Sequence, residues 1–255
     1  MTVFASDLAD GAPELSNALA GHPAETHVAG VRVALDPAGV MLLPESGALI
    51  VSDLHLEKGA SFARRGVMLP PYDTAATLAR LAALVARYRP QTVVSLGDSF
   101  HDADASAGLD EADRARLAAL TEGCRWVWIL GNHDPAPPEG LGGEVCEAVE
   151  VGGLTFRHEP GPRPAQGEVA GHLHPAATVV ARGRRLRRRC FASDGTRLVM
   201  PSFGAYTGGL CVRDPAVSRL FGPDYHAWML GEARVHPVRA RRLVPDSAML
   251  GRGLL

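Results

Sequence analysis

Ile129-Leu130-Gly131-Asn132-His133-Asp134 decides how this chain reads. An apolar run over residues 126–130 breaks abruptly into a glycine, an amide, an imidazole and a carboxylate. A buried strand ends this way when it delivers polar groups into a cleft. The break recurs. Leu49-Ile50-Val51 runs into Ser52-Asp53-Leu54-His55, and Val93-Val94-Ser95-Leu96 into Gly97-Asp98. Leu154-Thr155-Phe156 leads to His158, and Gly171-His172-Leu173-His174 follows. Apolar stretches that each end in Asp, Asn or His predict a rim of oxygen and imidazole donors at one edge of a sheet.

Asp53 and His55 stand two apart, so their side chains leave a strand end on one face and can converge on one ion; His172 and His174 repeat the spacing. A single Asp-x-His also fits a solvated strand end. The repetition points instead to a site for two metal ions. Asp, Asn and His donors with no thiolate suit Mn²⁺, Fe or Zn²⁺, and suit Ca²⁺ poorly because imidazole is a soft donor. Two metals at the usual spacing of about 3.5–4 Å need a bridging carboxylate, and Asp98 in its Gly-Asp turn is the natural bridge.

The totals bound the rest. Hydrophobic residues at 46% are ample for a core, and 26 Lys+Arg against 28 Asp+Glu leave a net charge of -2 that excludes little. Cys124, Cys146, Cys190 and Cys211 lie far apart with no Cys-x-x-Cys pair, so neither a thiolate zinc site nor a disulfide framework is indicated. Residues 1–30 carry Asp7, Asp10 and Glu14 and lack a basic start followed by an apolar segment. No apolar run approaches a spanning helix. A cytoplasmic protein without membrane contact is expected.

In chain order, a strand is expected over 28–35, a second over 40–43 and a buried one over 48–52, with a polar loop over 57–71 overhanging the site. Asp73 is expected to cap a helix that Pro90 ends, and a second helix to span 110–120. With strands at 92–96 and 126–130 these make a right-handed parallel βαβαβ half. Beyond Glu144 short strands alternate with turns and no helix is evident. Trp126 and Trp128 are expected to pack one on each face. The fold class predicted is α/β, two mixed β-sheets in an α/β/β/α sandwich forming a single domain over 27–236. Residues 1–26 form an N-terminal extension and 237–255 a C-terminal tail.

The ordered series Asp53-x-His55, Gly97-Asp98, Gly131-Asn132-His133-Asp134, His158 and Gly171-His172-x-His174 resembles the calcineurin-like metallophosphoesterase superfamily. The resemblance implies that Asp53, His55 and His174 bind one metal. It implies that Asn132, His158 and His172 bind the other, with Asp98 shared. His133 would be the non-ligand histidine beside the leaving group, and Asp134 would fix its orientation. Many superfamily members place a second Asp three residues after the bridging one; here that place holds His101, with Asp102 next. The stretches 53–59, 97–102 and 201–209 look like the bacterial ligase-associated DNA-damage-response endonucleases. That likeness implies a DNA-repair nuclease or phosphodiesterase, with DNA, a DNA ligase and a helicase as partners; among the metals that the donors suit, Mn²⁺ is the first choice.

Six of the eight positions from Arg182 to Arg189 are arginine. A solvated hairpin and a phosphate grip both fit this run. Arg184, Arg185 and Arg187, with Arg64 and Arg65 after the first donor pair, are the substrate-binding candidates. Aromatics are scarce at 5%, so backbone contact is expected more than base stacking. Two other readings are a phosphatase or phosphodiesterase for small molecules and a non-catalytic, metal-stabilised scaffold.

Overall fold

The computed structural model describes residues 21–64, 66, 72–102, 108–135 and 140–246. Its first hairpin pairs β1 (Ala24–Val28) with β2 (Val31–Leu35), Val28 opposite Val31. Ala29 and Gly30 between them both have positive φ, 49° and 85°. Such a two-residue turn matches the right-handed twist of the flanking strands, so the single strand expected over 28–35 is two. β3 (Met41–Leu43) and β4 (Ala48–Val51) extend the antiparallel run.

Helix α1 (Lys58–Arg64) stands where a polar loop was expected. Asp73 explains it. That residue does not cap its own helix, α2 (Asp73–Tyr88), which has no side-chain cap; its carboxylate accepts the Gly59 amide at 2.9 Å, at the start of α1. α2 buries Leu78, Leu81 and Leu84 and stops at Arg89, whose φ of 45° is set beside Pro90. β5 (Thr92–Leu96), α3 (Glu111–Glu122, capped by Asp110 on the Asp113 amide), β6 (Arg125–Ile129) and β7 (Glu144–Cys146) complete the unit. β4, β5, β6 and β7 are parallel neighbours.

The second sheet holds β8 (Ala148–Val151), β9 (Leu154–Arg157), β10 (Glu168–Ala170), β11 (Pro175–Ala181) and β12 (Arg184–Ser193). β13 (Leu198–Val199), β14 (Leu210–Cys211), β15 (His226–Leu230) and β16 (Val235–Arg239) follow. Its order is β14-β11-β12-β13-β10-β9-β8, with β15 joined to β12 and β16. Both sheets are mixed. Ile50, Val94 and Val127 of the first meet Phe156, Val169 and Phe191 of the second in a fully buried layer. On the outer face of the first sheet Leu49, Val93, Trp126 and Trp128 pack under α2 and α3. The two tryptophans share this face, their rings 5.2 Å apart, because residues two apart leave a strand on the same side. The outer face of the second sheet is covered by Val217, Phe221 and Leu243 from a single helical turn (Pro215–Ser218) and loops. The fourth layer of the sandwich is therefore thin.

Both proposed ends need correction. β1 begins at Ala24, so 24–26 belong to the sheet, and His22 is tied to the fold by its amide bond to the Ala233 carbonyl. Residues 237–246 are no tail: β16 runs through Pro237 to Arg239, the Ala240 amide bonds to Tyr225 and Val244 donates to Thr178. Proline is tolerated on such an edge strand, which hid it in the sequence. Residues 1–20 and 247–255 lie outside the described residues. No helix among the described residues is long and apolar enough to cross a membrane. Replacing the buried Leu243 with Ala is expected to cost about 2–5 kcal/mol; urea denaturation showing no loss would return 237–246 to the status of a tail.

Candidate dinuclear metal centre

The donors stand just past the ends of parallel strands: Asp53 and His55 after β4, Asp98 after β5, Asn132 after β6 with the non-ligand His133 next to it, His158 after β9 and His172 after β10, with His174 leading into β11. The structure brings them together in two sets. In the first, His174 Nε2 lies 3.1 Å from Asp53 Oδ1 and 3.3 Å from His55 Nε2. In the second, His158 Nε2 lies 3.4 Å from Asp98 Oδ1, 3.2 Å from His172 Nδ1 and 2.9 Å from Asn132 Oδ1. In Asp53, His55 and His174, and again in Asp98, His158 and His172, the donor atoms lie within 4.8 Å of one another. Asp98 faces both sets, its Oδ2 being 3.9 Å from His55 Nε2.

The local backbone is unusual. Asp53, His55, Asp98, His172 and His174 all have left-handed φ, between 44° and 66°. Each such residue costs on the order of 1–3 kcal/mol and persists only where its surroundings hold it. Glycines make room at two of these points. A Cβ on Gly131 would strike the amide and carboxylate of Asp98, and one on Gly171 would strike the Ser52 hydroxyl. The glycine before each donor is thus a clearance for the neighbouring strand's donor.

The sequence pattern of the family described as Calcineurin-like phosphoesterase matches residues 48–188, more than half of the chain and all seven donors. The chain belongs to the calcineurin-like phosphoesterase family. Among solved structures, the crystal structure of Pseudomonas putida nuclease MPE is 29% identical, with a TM-score of 0.66, over 85% of this chain and 100% of its own. Yfce, a phosphoesterase from E. coli, is 18% identical with a TM-score of 0.39, over 75% of this chain and 97% of its own. No curated protein matches the chain.

Membership of the calcineurin-like phosphoesterase family implies a divalent-metal centre, and the residues fit an ion at each set. All donors are nitrogen or oxygen, and His158 is preset: its Nδ1 bonds to the Leu96 carbonyl at 2.8 Å. A carbonyl only accepts, so Nδ1 carries a hydrogen, and in the neutral ring the Nε2 lone pair faces the same space as the other ligand atoms, where a cation would take it. Without a cation the second set holds a proton on His158. Burial opposes charge on both His158 and Asp98, but their mutual hydrogen bond lifts the imidazole to about 9 and takes the carboxyl to about 2. Burial drives His55 down to about 3, which keeps it neutral and able to ligate.

His133 stands outside both sets, exposed like Asn132, its side chain 42% accessible and Nε2 4.0 Å from Asp98 Oδ2. Asp134 does not fix it, contrary to expectation. The Asp134 carboxylate is buried and accepts the amides of Ser99 and Phe100 at 2.7 and 3.1 Å; burial pushes its pKa up to about 7. His101 takes the orienting place. Its carbonyl lies 3.0 Å from His133 Nδ1, and its ring stacks on His133 at 5.4 Å and 16°. Its position three residues past Asp98 was the only signal in the sequence.

The arginine candidates divide. Arg187 bonds to Asp246 and the Gly209 carbonyl, and Arg185 to the Pro245 carbonyl, so the segment after β16 and the residue before β14 engage both. Arg184 is exposed. Arg184 and Arg185 pair with Ala181 and Val180, about 17–20 Å along β11 from its start beside His174. Arg64 closes α1 with its side chain outside the described residues, and Arg65 lies outside them altogether.

The His101 ring makes its own prediction. His101→Ala should lower kcat about tenfold at unchanged KM, the scale of a lost supporting contact, and His101→Phe should restore most of it by keeping the stack; an inactive Phe variant would refute the stacking role. The proton on His158 makes another. With a pKa of about 9 the metal-free ring holds a proton at pH 7, whereas a cation needs the lone pair. Metal loading at pH 7 should release about one proton, and affinity should rise with pH up to about 9. Calorimetry in buffers of different ionisation enthalpy measures it, and no release would contradict the assignment.

Proposed function

We propose that the chain is a DNA nuclease that hydrolyses phosphodiester bonds with two divalent ions, Mn²⁺ being the first candidate. The observation that carries the reading is the pair of donor sets joined by Asp98, with the exposed His133 beside them. The likeness to Pseudomonas putida nuclease MPE supports nucleic acid as the substrate, as do the exposed Arg182, Arg184 and Arg188. The motif likeness to ligase-associated endonucleases supports a setting beside a DNA ligase and a helicase. The four cysteines are free thiols, which suits a reducing compartment such as the cytoplasm.

Asp53, His55 and His174 would hold one ion, and Asn132, His158 and His172 the other, with Asp98 between. When bound, two divalent ions neutralise phosphate oxygens and acidify water. The chain supplies the rest. The Asp98 backbone and carboxylate are fixed from several sides: its carbonyl accepts the His55 amide at 2.9 Å and its Oδ1 the His133 amide at 3.0 Å. His133 Nδ1 donates to the His101 carbonyl, so Nε2 is the atom that gains and gives a proton. In its cationic form this ring can protonate the leaving oxygen.

The test is cleavage of nicked and flapped DNA by the Mn²⁺-loaded chain, set against a phosphomonoester. DNA cleavage that falls steeply with salt is expected. Cleavage of the monoester alone would favour a small-molecule phosphatase, and no turnover with Mn²⁺, Fe²⁺ or Zn²⁺ would favour a scaffold. His133→Ala should keep both metals and lose about 10²–10⁴-fold in turnover, whereas Asp98→Asn should lose metal. Full metal content in the Asn variant would count against a shared carboxylate.

A further inference from the structure

Beside the second donor set a cleft of about 540 Å³ opens between the end of β6 and the loop after β9. Asn132 and His158 line it with Leu130, Arg157 and Pro160-Gly161-Pro162. None of Asp53, His55, His174 and His133 does. His133 instead neighbours the first set, its ring 5.4 Å from that of His55. A phosphodiester laid across both sets would therefore direct one ester arm toward His133 and the other into the cleft.

One wall of this cleft is built before any ligand arrives. The Gly161 amide donates to both oxygens of Glu168, at 3.2 and 3.1 Å, and the Gly161 carbonyl accepts Arg197 Nη2 at 2.8 Å. Arg197 and Glu168 are themselves paired and buried. Arg157 lies 3.6 Å from the same carboxylate with its side chain 43% exposed. Two guanidinium groups thus face one carboxylate, and the surplus positive charge sits on the accessible one, Arg157. Glu147 and Glu159 also line the cleft and are exposed. Their charge repels a second phosphate, so a run of backbone phosphates is disfavoured here. A guanidinium plane and two pyrrolidine rings offer flat faces to an uncharged planar ring.

We infer that the cleft seats the nucleoside attached to the scissile phosphate, its base laid against Arg157 and the Pro160-Gly161-Pro162 wall. This rests on the phosphodiesterase reading and adds to it the place that selects diesters of nucleosides over diesters of simple alcohols. The volume suits it, falling within the usual range of ligand pockets.

The test compares thymidine 5′-(p-nitrophenyl phosphate) with methyl p-nitrophenyl phosphate on the Mn²⁺-loaded full chain. Both release the same chromophore and differ in the group that would enter the cleft. The thymidine ester should have a kcat/KM about tenfold higher, the scale of one stacked base, and Arg157→Ala should bring the ratio toward one. A wild-type ratio near one, or a ratio that Arg157→Ala leaves unchanged, overturns the inference. If neither ester is turned over, the phosphodiesterase reading has failed, and binding decides the cleft separately. Calorimetry should then give thymidine 5′-monophosphate about tenfold tighter binding than inorganic phosphate, an advantage lost in Arg157→Ala. Equal affinities would overturn the assignment.

Discussion

The molecule depends on holding a buried cluster of carboxylates and imidazoles at the seam between two sheets. Asp53, Asp98, His55 and His158 are at most 5% exposed. Such groups are tolerated inside a protein only when paired, hydrogen-bonded or bound to a cation. Backbone bonds beyond the strand ends set the seam. The amides of His55 and Leu56 donate to the carbonyls of Asp98 and Ser99, continuing the β4–β5 ladder into the loops. From the second sheet the His172 amide reaches the Asp53 carboxylate at 3.2 Å. The Phe203 amide donates to Ser52 and that of Gly204 to Asp53. One sheet therefore supplies hydrogen bonds that orient the other sheet's donors, and neither half of the site could form without the other.

This arrangement explains why the site was legible in the sequence. Parallel strands buried on both faces read as unbroken apolar runs, so their polar ends stand out. The less legible parts were set by contacts remote in sequence. α1 depends on a carboxylate from the next helix, and β16 is an exposed edge whose Arg and Pro residues resemble a tail. The role that the family resemblance implies for Asp134 is not the one its side chain takes, since neighbours in sequence can leave the chain in opposite directions. His133 turns toward the solvent side, while Asp134 turns inward to the amides of Ser99 and Phe100.

The arginine run carries the same lesson at larger scale. Read as composition, it is one basic patch. Placed on β12, the period of two divides it. Arg185, Arg187 and Arg189 share a face and are engaged by the carbonyls of Pro245, Gly209 and Ser202 and by Asp246. Arg184 and Arg188 share the other face and are exposed. Half of the run is thus tied to the loops around β14 and the segment after β16, although Arg185 and Arg187 stay exposed, and Asp246 offsets part of the charge that the run presents to a polyanion.

The buried pair of Arg197 and Glu168 raises the question of what an ion pair does inside a sandwich. Apolar side chains of similar size are often as stabilising as a buried salt bridge, because desolvation offsets the attraction. Stability alone is therefore a weak reason for this pair. Geometry is a better one. The Arg197 guanidinium donates to the carbonyls of Gly161 and Leu220 as well as to Glu168, and Glu168 holds the Gly161 amide. A leucine or methionine could fill the space but could not tie three separate segments at fixed angles. What the pair supplies is a loop of set position beside His158, so the wall of the cleft is held by charges and does not depend on the loop's own sparse packing.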